Sequence, residues 1–257
     1  MSATEPKIVG TIGMMLGLPY VARQFLTSML CMQARTMQVL GTKGMGVSLG
    51  YAQAPDLAHN RNTLAAAVDG DHLLMLDADA AFDPDLYVRM TETMYNPPPA
   101  VKWDGAQWVT THLDPPLDVV TGLYFMRRTH HPVLYQWKPG ETGPHQLYTF
   151  PLTEVFPVGS AGGGCLMVRK VVFDRIREEL GRKPFDNRYT DGRLYEDHSF
   201  FLNLRDLDPP VQAYCNPRIV VRHLETLELD YQHYNASAPP AAGVMEIAIP
   251  KLAELAQ

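Results

Sequence analysis

Two carboxylates close together after an apolar run are the strongest chemical signal in this sequence. His72-Leu73-Leu74-Met75-Leu76 runs straight into Asp77-Ala78-Asp79. A short, largely apolar run bounded by turn residues reads as a strand buried on both faces. Residues two apart in an extended chain point to one side, so Asp77 and Asp79 would converge beyond the strand end. Like charges placed so repel unless something positive lies between them. Mg²⁺ or Mn²⁺ is the natural partner, because hard cations prefer carboxylate oxygens and bring phosphates with them. The plainer alternative is that Asp77 finishes the strand and Asp79 starts a turn.

Four further groups have chemistry-bearing types at telling positions. Leu57, Arg61, Leu64 and Val68 fall on one helical stripe. A guanidinium on an apolar face needs a phosphate or a carboxylate, which it can bind in bidentate fashion, unless it snorkels to water. Asn62 beside it is a lesser hydrogen-bonding candidate. Gly159-Ser160-Ala161-Gly162-Gly163-Gly164 precedes a strand. Consecutive glycines let backbone N–H groups approach a ligand, or simply make a tight connection. In Tyr195-Glu196-Asp197-His198, Asp197 shares a stripe with Phe200, Phe201 and Leu204. It would be a base at a helix head, held by the helix dipole, or only an N-cap. His223 follows Val220-Val221-Arg222 directly, which places it at a sheet edge.

These residues need a scaffold, and the pattern predicts one. Expected strands are Val9–Gly13, a short one at Val47–Leu49, His72–Leu76, Asp118–Met126, Cys165–Val168, Val211–Cys215 and Ile219–Val221. Weaker ones are expected at Val133–Trp137 and Gln146–Phe150. Helices are expected from about Pro19 to Met32, Asp56 to Val68, Asp83 onward, after Val168 to Leu180, and Asp197 to Leu207. Asp83 would cap its helix, with Pro84 at the first position. The tryptophan-bearing stretch between Pro99 and Pro115 reads as irregular. Strands alternating with helices predict an α/β sheet, mainly parallel in its first part.

Composition limits the classes open to the chain. It has 257 residues, 46% hydrophobic and 19% charged, which supports a substantial core. A formal net charge of −6 argues against a dedicated nucleic-acid module. Cys31, Cys165 and Cys215 are far apart and odd in number, so neither a disulfide framework nor a cysteine zinc site is expected. No apolar run is long enough to span a membrane, and no signal-peptide pattern begins the chain. A cytoplasmic location, in a bacterium or a phage-infected host, is therefore expected.

In chain order, these features resemble the nucleotide-sugar-dependent glycosyltransferases of the GT-A fold, close to the family-2-like group. The residues carrying the resemblance are Arg61-Asn62, Asp77-Ala78-Asp79, Val119–Phe125, Gly159–Arg169, Tyr195–Phe201 and His223. The resemblance implies a single Rossmann-like mixed sheet flanked by helices. It implies one catalytic domain over residues 1–235, with a donor half to about 116 and an acceptor half from 117. Residues 236–257 would be a linker and C-terminal helix.

It also implies roles. Asp79 and His223, with Asp77, would hold Mn²⁺ or Mg²⁺ on the diphosphate of a nucleoside diphosphate-sugar. Thr11, Arg61, Asn62, Asp77 and Ala78 would meet the donor, and Gly162, Gly163 and Gly164 would lie along its sugar or the acceptor. Asp197 would be the base that activates an acceptor hydroxyl with inversion, and Glu196 would hold the acceptor or its loop.

Two other classes compete. Gly46-Val47-Ser48-Leu49-Gly50 has the pattern of a hydrolase nucleophile elbow, with Asp197 and His223 following in order. A sugar-nucleotide-binding protein without turnover is the third reading. The acceptor is open: saccharide, small molecule, protein or a hydroxymethylated phage DNA base. For DNA, the candidates are the basic clusters at Arg127-Arg128 and Arg182-Lys183, with Trp103, Trp108 and Trp137 to stack on a base.

Overall fold

The computed structural model describes residues 7–16, 21–127, 129–137, 144–187, 195–224 and 228–229. The first elements are β1 (Lys7–Met15), α1 (Arg23–Gly41), β2 (Met45–Ala52), α2 (Leu57–Ala66), β3 (His72–Asp77), β4 (Ala80–Ala81) and α3 (Leu86–Tyr95). A hairpin of β5 (Ala100–Trp103) and β6 (Trp108–Thr111) leads to β7 (Val119–Tyr124). There follow β8 (Leu134–Trp137), β9 (Pro144–Gln146), β10 (Phe156–Val158), β11 (Ser160–Ala161) and β12 (Cys165–Arg169). Last come α4 (Lys170–Leu180), α5 (Glu196–Asp206), β13 (Ala213–Leu224) and β14 (Glu228–Leu229).

The main sheet runs β10-β13-β7-β12-β3-β1-β2. β1, β2 and β3 pair in parallel, and β13 is parallel to β7. β12 is antiparallel to both β3 and β7, so β3 and β7 run the same way. Five strands therefore end at one edge: β1, β2, β3, β7 and β13. The mixed α/β sheet flanked by helices is the GT-A architecture.

Alternation along the buried strands explains the layers. Leu73 and Met75 join the cluster that holds Phe173, Phe185 and Phe200 from the side of α2, α4 and α5. Leu74 and Leu76 join the opposite cluster with Phe25, Met32 and Met90 from α1 and α3. A strand apolar on both sides is the signature of a sheet covered on both faces. α1 buries Phe25, Met29, Met32, Thr36 and Leu40 as one stripe. Asp56 caps α2 by accepting from the Ala58 amide at 3.0 Å. α4 stops at Gly181, whose φ of 62° suits a residue without Cβ.

Several boundaries differ from the sequence reading. α1 continues to Gly41 because its apolar stripe persists through Thr36 and Leu40; Pro19 lies outside the described residues. α3 starts at Leu86, not Pro84. Asp83-Pro84-Asp85 instead makes a turn in which Leu86 N donates to Asp83 O at 3.1 Å. The Asp85 carboxylate is drawn off to Arg35 of α1, at 2.6 Å from Nε.

The stretch expected to be irregular is the β5–β6 hairpin. Its turn closes on Asp104 Oδ1, which accepts from the Ala106 and Gln107 amides, with Gly105 at φ 110°. β9 lies at Pro144–Gln146 rather than Gln146–Phe150, and the late segments form one strand, β13. Its register shifts between Asn216 and Val220, where the Asn216 side chain caps the Arg218 amide and bonds Thr93. The expected helix after residue 236 lies outside the described residues. Among the described residues, no helix is long and apolar enough to cross a membrane.

Candidate functional site

The common strand edge gathers chemistry from distant parts of the chain. Met15, Ala52 and Asp77 are level in register at the ends of β1, β2 and β3. Tyr124 ends β7 beside Val221 of β13, two residues before His223. A cleft of about 740 Å³ opens there. Its floor is Asp77, Ala78, Asp79, Tyr124, Arg127 and His223, and its walls include Met15, Pro55, Leu57, Met126, Val133 and Tyr195.

Asp79 is fixed by backbone. β4 pairs with β13, bringing His223 opposite Ala80, and Leu224 N donates to Asp79 O at 2.7 Å. The His223 Nε2 then stands 3.6 Å from Asp79 Oδ1. His223 Nδ1 donates to the Phe125 carbonyl at 2.8 Å, which turns Nε2 toward Asp79. Asp79 Oδ1 is buried and has no hydrogen-bond donor among the described residues, whereas Oδ2 is ion-paired with Arg127.

Asp77 turns elsewhere. Its Oδ1 lies 3.4 Å from Arg61 Nη2. Asp77 and Asp79 line one cleft but have separate partners, which corrects the expectation of a shared focus. Asp79 lies in the turn past β3, where strand alternation no longer sets direction. Among the described residues, no three His, Cys, Asp or Glu side chains form a metal-sized group.

Arg61 does not snorkel. It is 2% exposed and donates to Gly163 O at 2.6 Å and Glu196 Oε1 at 3.2 Å, besides Asp77. Phe185 lies 5.9 Å from its guanidinium carbon. Burial opposes its charge, but Asp77, Glu196 and Asp197 outweigh burial and hold its pKa above the usual value. Glu196 is pushed up by burial, and Arg61, shared among several acids, offsets only part of that. Arg61 is thus the hub that joins the end of β3 to the head of α5.

The glycines serve that hub. A Cβ on Gly163 would run into the Arg61 guanidinium, and one on Gly162 into the Tyr124 hydroxyl. Gly164 N donates to that hydroxyl at 3.2 Å. The loop thus makes room for side chains beneath the cleft, and its three glycines are not among the lining residues.

Asp197 is half-buried in the first turn of α5, where its Oδ1 accepts from the His198 amide at 2.8 Å. It is close enough to act on Arg61, Tyr124 and Tyr135. Thr11 and Asn62 belong neither to the cleft lining nor to the Arg61 hub. Thr11 sits mid-strand, bonded to Ser48 Oγ at 2.8 Å and to Asp69 O at 2.9 Å. Asn62 clamps Phe185, donating to its carbonyl at 2.6 Å and accepting from its amide at 3.1 Å. Ser48 lies inside β2, not on the sharp strand-to-helix turn that a nucleophile elbow requires.

Other residues, given no role in this cleft by the sequence, take their place in it only in three dimensions. Tyr124 packs its ring edge-on to His223, with centroids 5.4 Å apart, and burial pushes its hydroxyl well up. Arg127 reaches Asp79, and Tyr195, 61% exposed, forms a cleft wall. All three flank strand ends or helix heads already marked, which is the signal that could have found them. The DNA candidates are mostly engaged within the fold. Arg182 pairs with Asp206 at 2.6 Å, Trp137 lies under Arg205, and Trp108 packs on Phe156. Arg128 lies outside the described residues.

The family model described as glycosyl transferase family 2 matches residues 53–156. That span contains Arg61, Asp77, Asp79, Tyr124 and Arg127, and stops before Asp197 and His223. No curated protein matches the chain. Among solved structures, the crystal structure of A197 from STIV is 14% identical, covers 84% of this chain and 85% of its own, and has a TM-score of 0.47. The structure of the inositol-1-phosphate CTP transferase from T. maritima is 8% identical, covers 84% and 87%, and has a TM-score of 0.41. The family match spans less than half of the chain, and over that segment the chain is similar to glycosyl transferase family 2.

Proposed function

We propose that this protein is a glycosyltransferase that moves a sugar from a nucleoside diphosphate-sugar to an acceptor hydroxyl, dependent on Mn²⁺ or Mg²⁺ and with inversion. The observation that carries the metal dependence is the buried Asp79 Oδ1, which has no hydrogen-bond partner among the described residues and lies 3.6 Å from His223 Nε2. A buried carboxylate oxygen without a donor costs free energy unless a cation meets it. A carboxylate and a neutral imidazole whose other nitrogen is anchored to a carbonyl form a donor set that suits a divalent metal. Asp79 and His223 would therefore hold the ion. When bound, it supplies Lewis-acid stabilisation of the departing nucleoside diphosphate.

The chain's own groups do the rest. Arg61 holds Asp77 and Glu196 in place, so the end of β3 and the head of α5 keep a fixed separation. Asp197, in the first turn of α5, takes the acceptor proton. Met15, Pro55 and Leu57 provide an apolar wall against which a nucleobase can pack, and Tyr195 offers a face for a sugar ring.

A calorimetric screen of nucleoside diphosphate-sugars with Mn²⁺, with Mg²⁺ and with chelator tests this reading. One donor should bind in a metal-dependent way, and Asp79→Ala should abolish that dependence. Failure of every donor, or wild-type binding by Asp79→Ala, rejects it. Incubation with candidate saccharides and with hydroxymethylpyrimidine DNA, read by mass, then assigns the acceptor.

A further inference from the structure

We infer that Arg127 is a built-in competitor for the divalent cation at Asp79 and, once displaced, an anion contact for the donor's diphosphate. The inference rests on the metal reading above and adds an order of binding to it. The Asp79 carboxylate is divided: Oδ2 is ion-paired with the Arg127 guanidinium, and Oδ1 faces His223 with no hydrogen-bond donor among the described residues. A divalent ion joining Oδ1 would share one carboxylate with a guanidinium, and the two positive charges repel at that range. Arg127 must then leave.

Its position allows this. The Arg127 side chain is 40% exposed, whereas that of Asp79 is 18% exposed. Arg127 follows Met126 at the end of β7, in a turn closed by His130 N donating to Met126 O and Met126 N to His131 O. The backbone is anchored while the long side chain lines the cleft. A displaced guanidinium there stays beside the cation site. Its fork of donors suits phosphate oxygens. Metal alone has to expel Arg127 with nothing to receive it; metal with a diphosphate supplies the receiver. The two ligands should thus bind with positive coupling, and linkage makes the coupling reciprocal.

Metal binding itself is the readout, by titrating Mn²⁺ and following the electron paramagnetic resonance of the free ion. The proteins are wild type, Arg127→Ala, Arg127→Lys and Asp79→Asn, each alone and with UDP, GDP, CDP or ADP. Without nucleotide, Arg127→Ala should bind Mn²⁺ about tenfold more tightly than wild type. Arg127→Lys, which keeps the charge, should resemble wild type. A nucleoside diphosphate should tighten Mn²⁺ binding more in wild type than in Arg127→Ala. Asp79→Asn should lose the ion in every condition. If Asp79→Asn loses Mn²⁺ while Arg127→Ala binds it no more tightly than wild type, the competitor role is wrong and the metal reading stands. If Asp79→Asn binds as wild type, or no protein binds Mn²⁺ with or without nucleotide, the metal reading itself fails. Superimposable melting curves for wild type and Arg127→Ala exclude a purely structural effect.

Discussion

At the scale of single residues, Arg61 decides more than any other side chain here. It is almost wholly buried and serves two acids and a carbonyl. Removing one member of a buried charge pair leaves the others uncompensated, at a cost of about 3–5 kcal/mol. Arg61→Ala should therefore lower the unfolding free energy measured in urea by that much, and Arg61→Lys should recover only part, since an ammonium cannot span all three partners. Gly163→Ala should be comparably damaging because its methyl would occupy the guanidinium's place. In an Arg61→Ala background the same glycine change should cost little. Additive costs in that double-mutant cycle would mean the glycine matters for another reason. The sequence marked Arg61 by its place on an apolar stripe, but it could not say whether phosphate or carboxylate answered it. Glu196 is 135 positions away, and only the fold brings it near.

At the scale of elements, the opposite end of β3 carries a second buried network, which makes stability depend on pH. His72 opens β3, with Nε2 bonded to Tyr87 at 2.8 Å and Nδ1 to Tyr95 at 3.2 Å. Burial lowers its pKa from 6.5 to about 4. In the unfolded chain the imidazole takes up its proton near pH 6.5, whereas in the fold it resists until about 4. Between those values the unfolded state binds more protons, so stability falls as pH falls, by about 3 kcal/mol over the window. Above 6.5 the two states hold equal protons at this site and the effect is absent. Urea unfolding across that range should show the slope in wild type, and His72→Gln should flatten it. An unchanged slope would put the acid sensitivity elsewhere.

Gly10 lies under the His72 ring, so Gly10→Ala should destabilise at every pH. β3 itself was legible, since its apolar run admits hardly another reading. The start of α3 was not, because the decisive partner of Asp85 is Arg35 on another helix. The β5–β6 hairpin hid behind flanking prolines, although Asp104-Gly105 between two tryptophans was its turn signal.

At the scale of the whole molecule, strand direction makes the site. Because β12 runs against its neighbours, β3 and β7 are parallel, and β1, β2 and β13 deliver their ends to the same edge. One side of that edge holds Asp79, His223 and Arg127; the other holds Asp197 at the head of α5, with Arg61 and Asp77 between them. This separation suggests a division of labour that mutation can expose. Asp197→Asn removes the proposed base but leaves Asp79 and His223 intact. It should keep metal-dependent donor binding and lower the transfer rate by about 10²–10⁴-fold. Asp79→Asn should lose donor binding first, whatever the acceptor. Measuring both constants for both variants separates the roles. Asp197→Asn transferring at the wild-type rate would show that the acceptor proton leaves by another route. Equal loss of donor binding in both variants would mean that the Arg61 hub, rather than two separate sites, had been disturbed. The edge was legible from sequence as a set of strand ends carrying Asp, Asp and His. The links across it were not, because Arg127 and Tyr124 acquire their meaning only from the strands that the antiparallel β12 sets side by side.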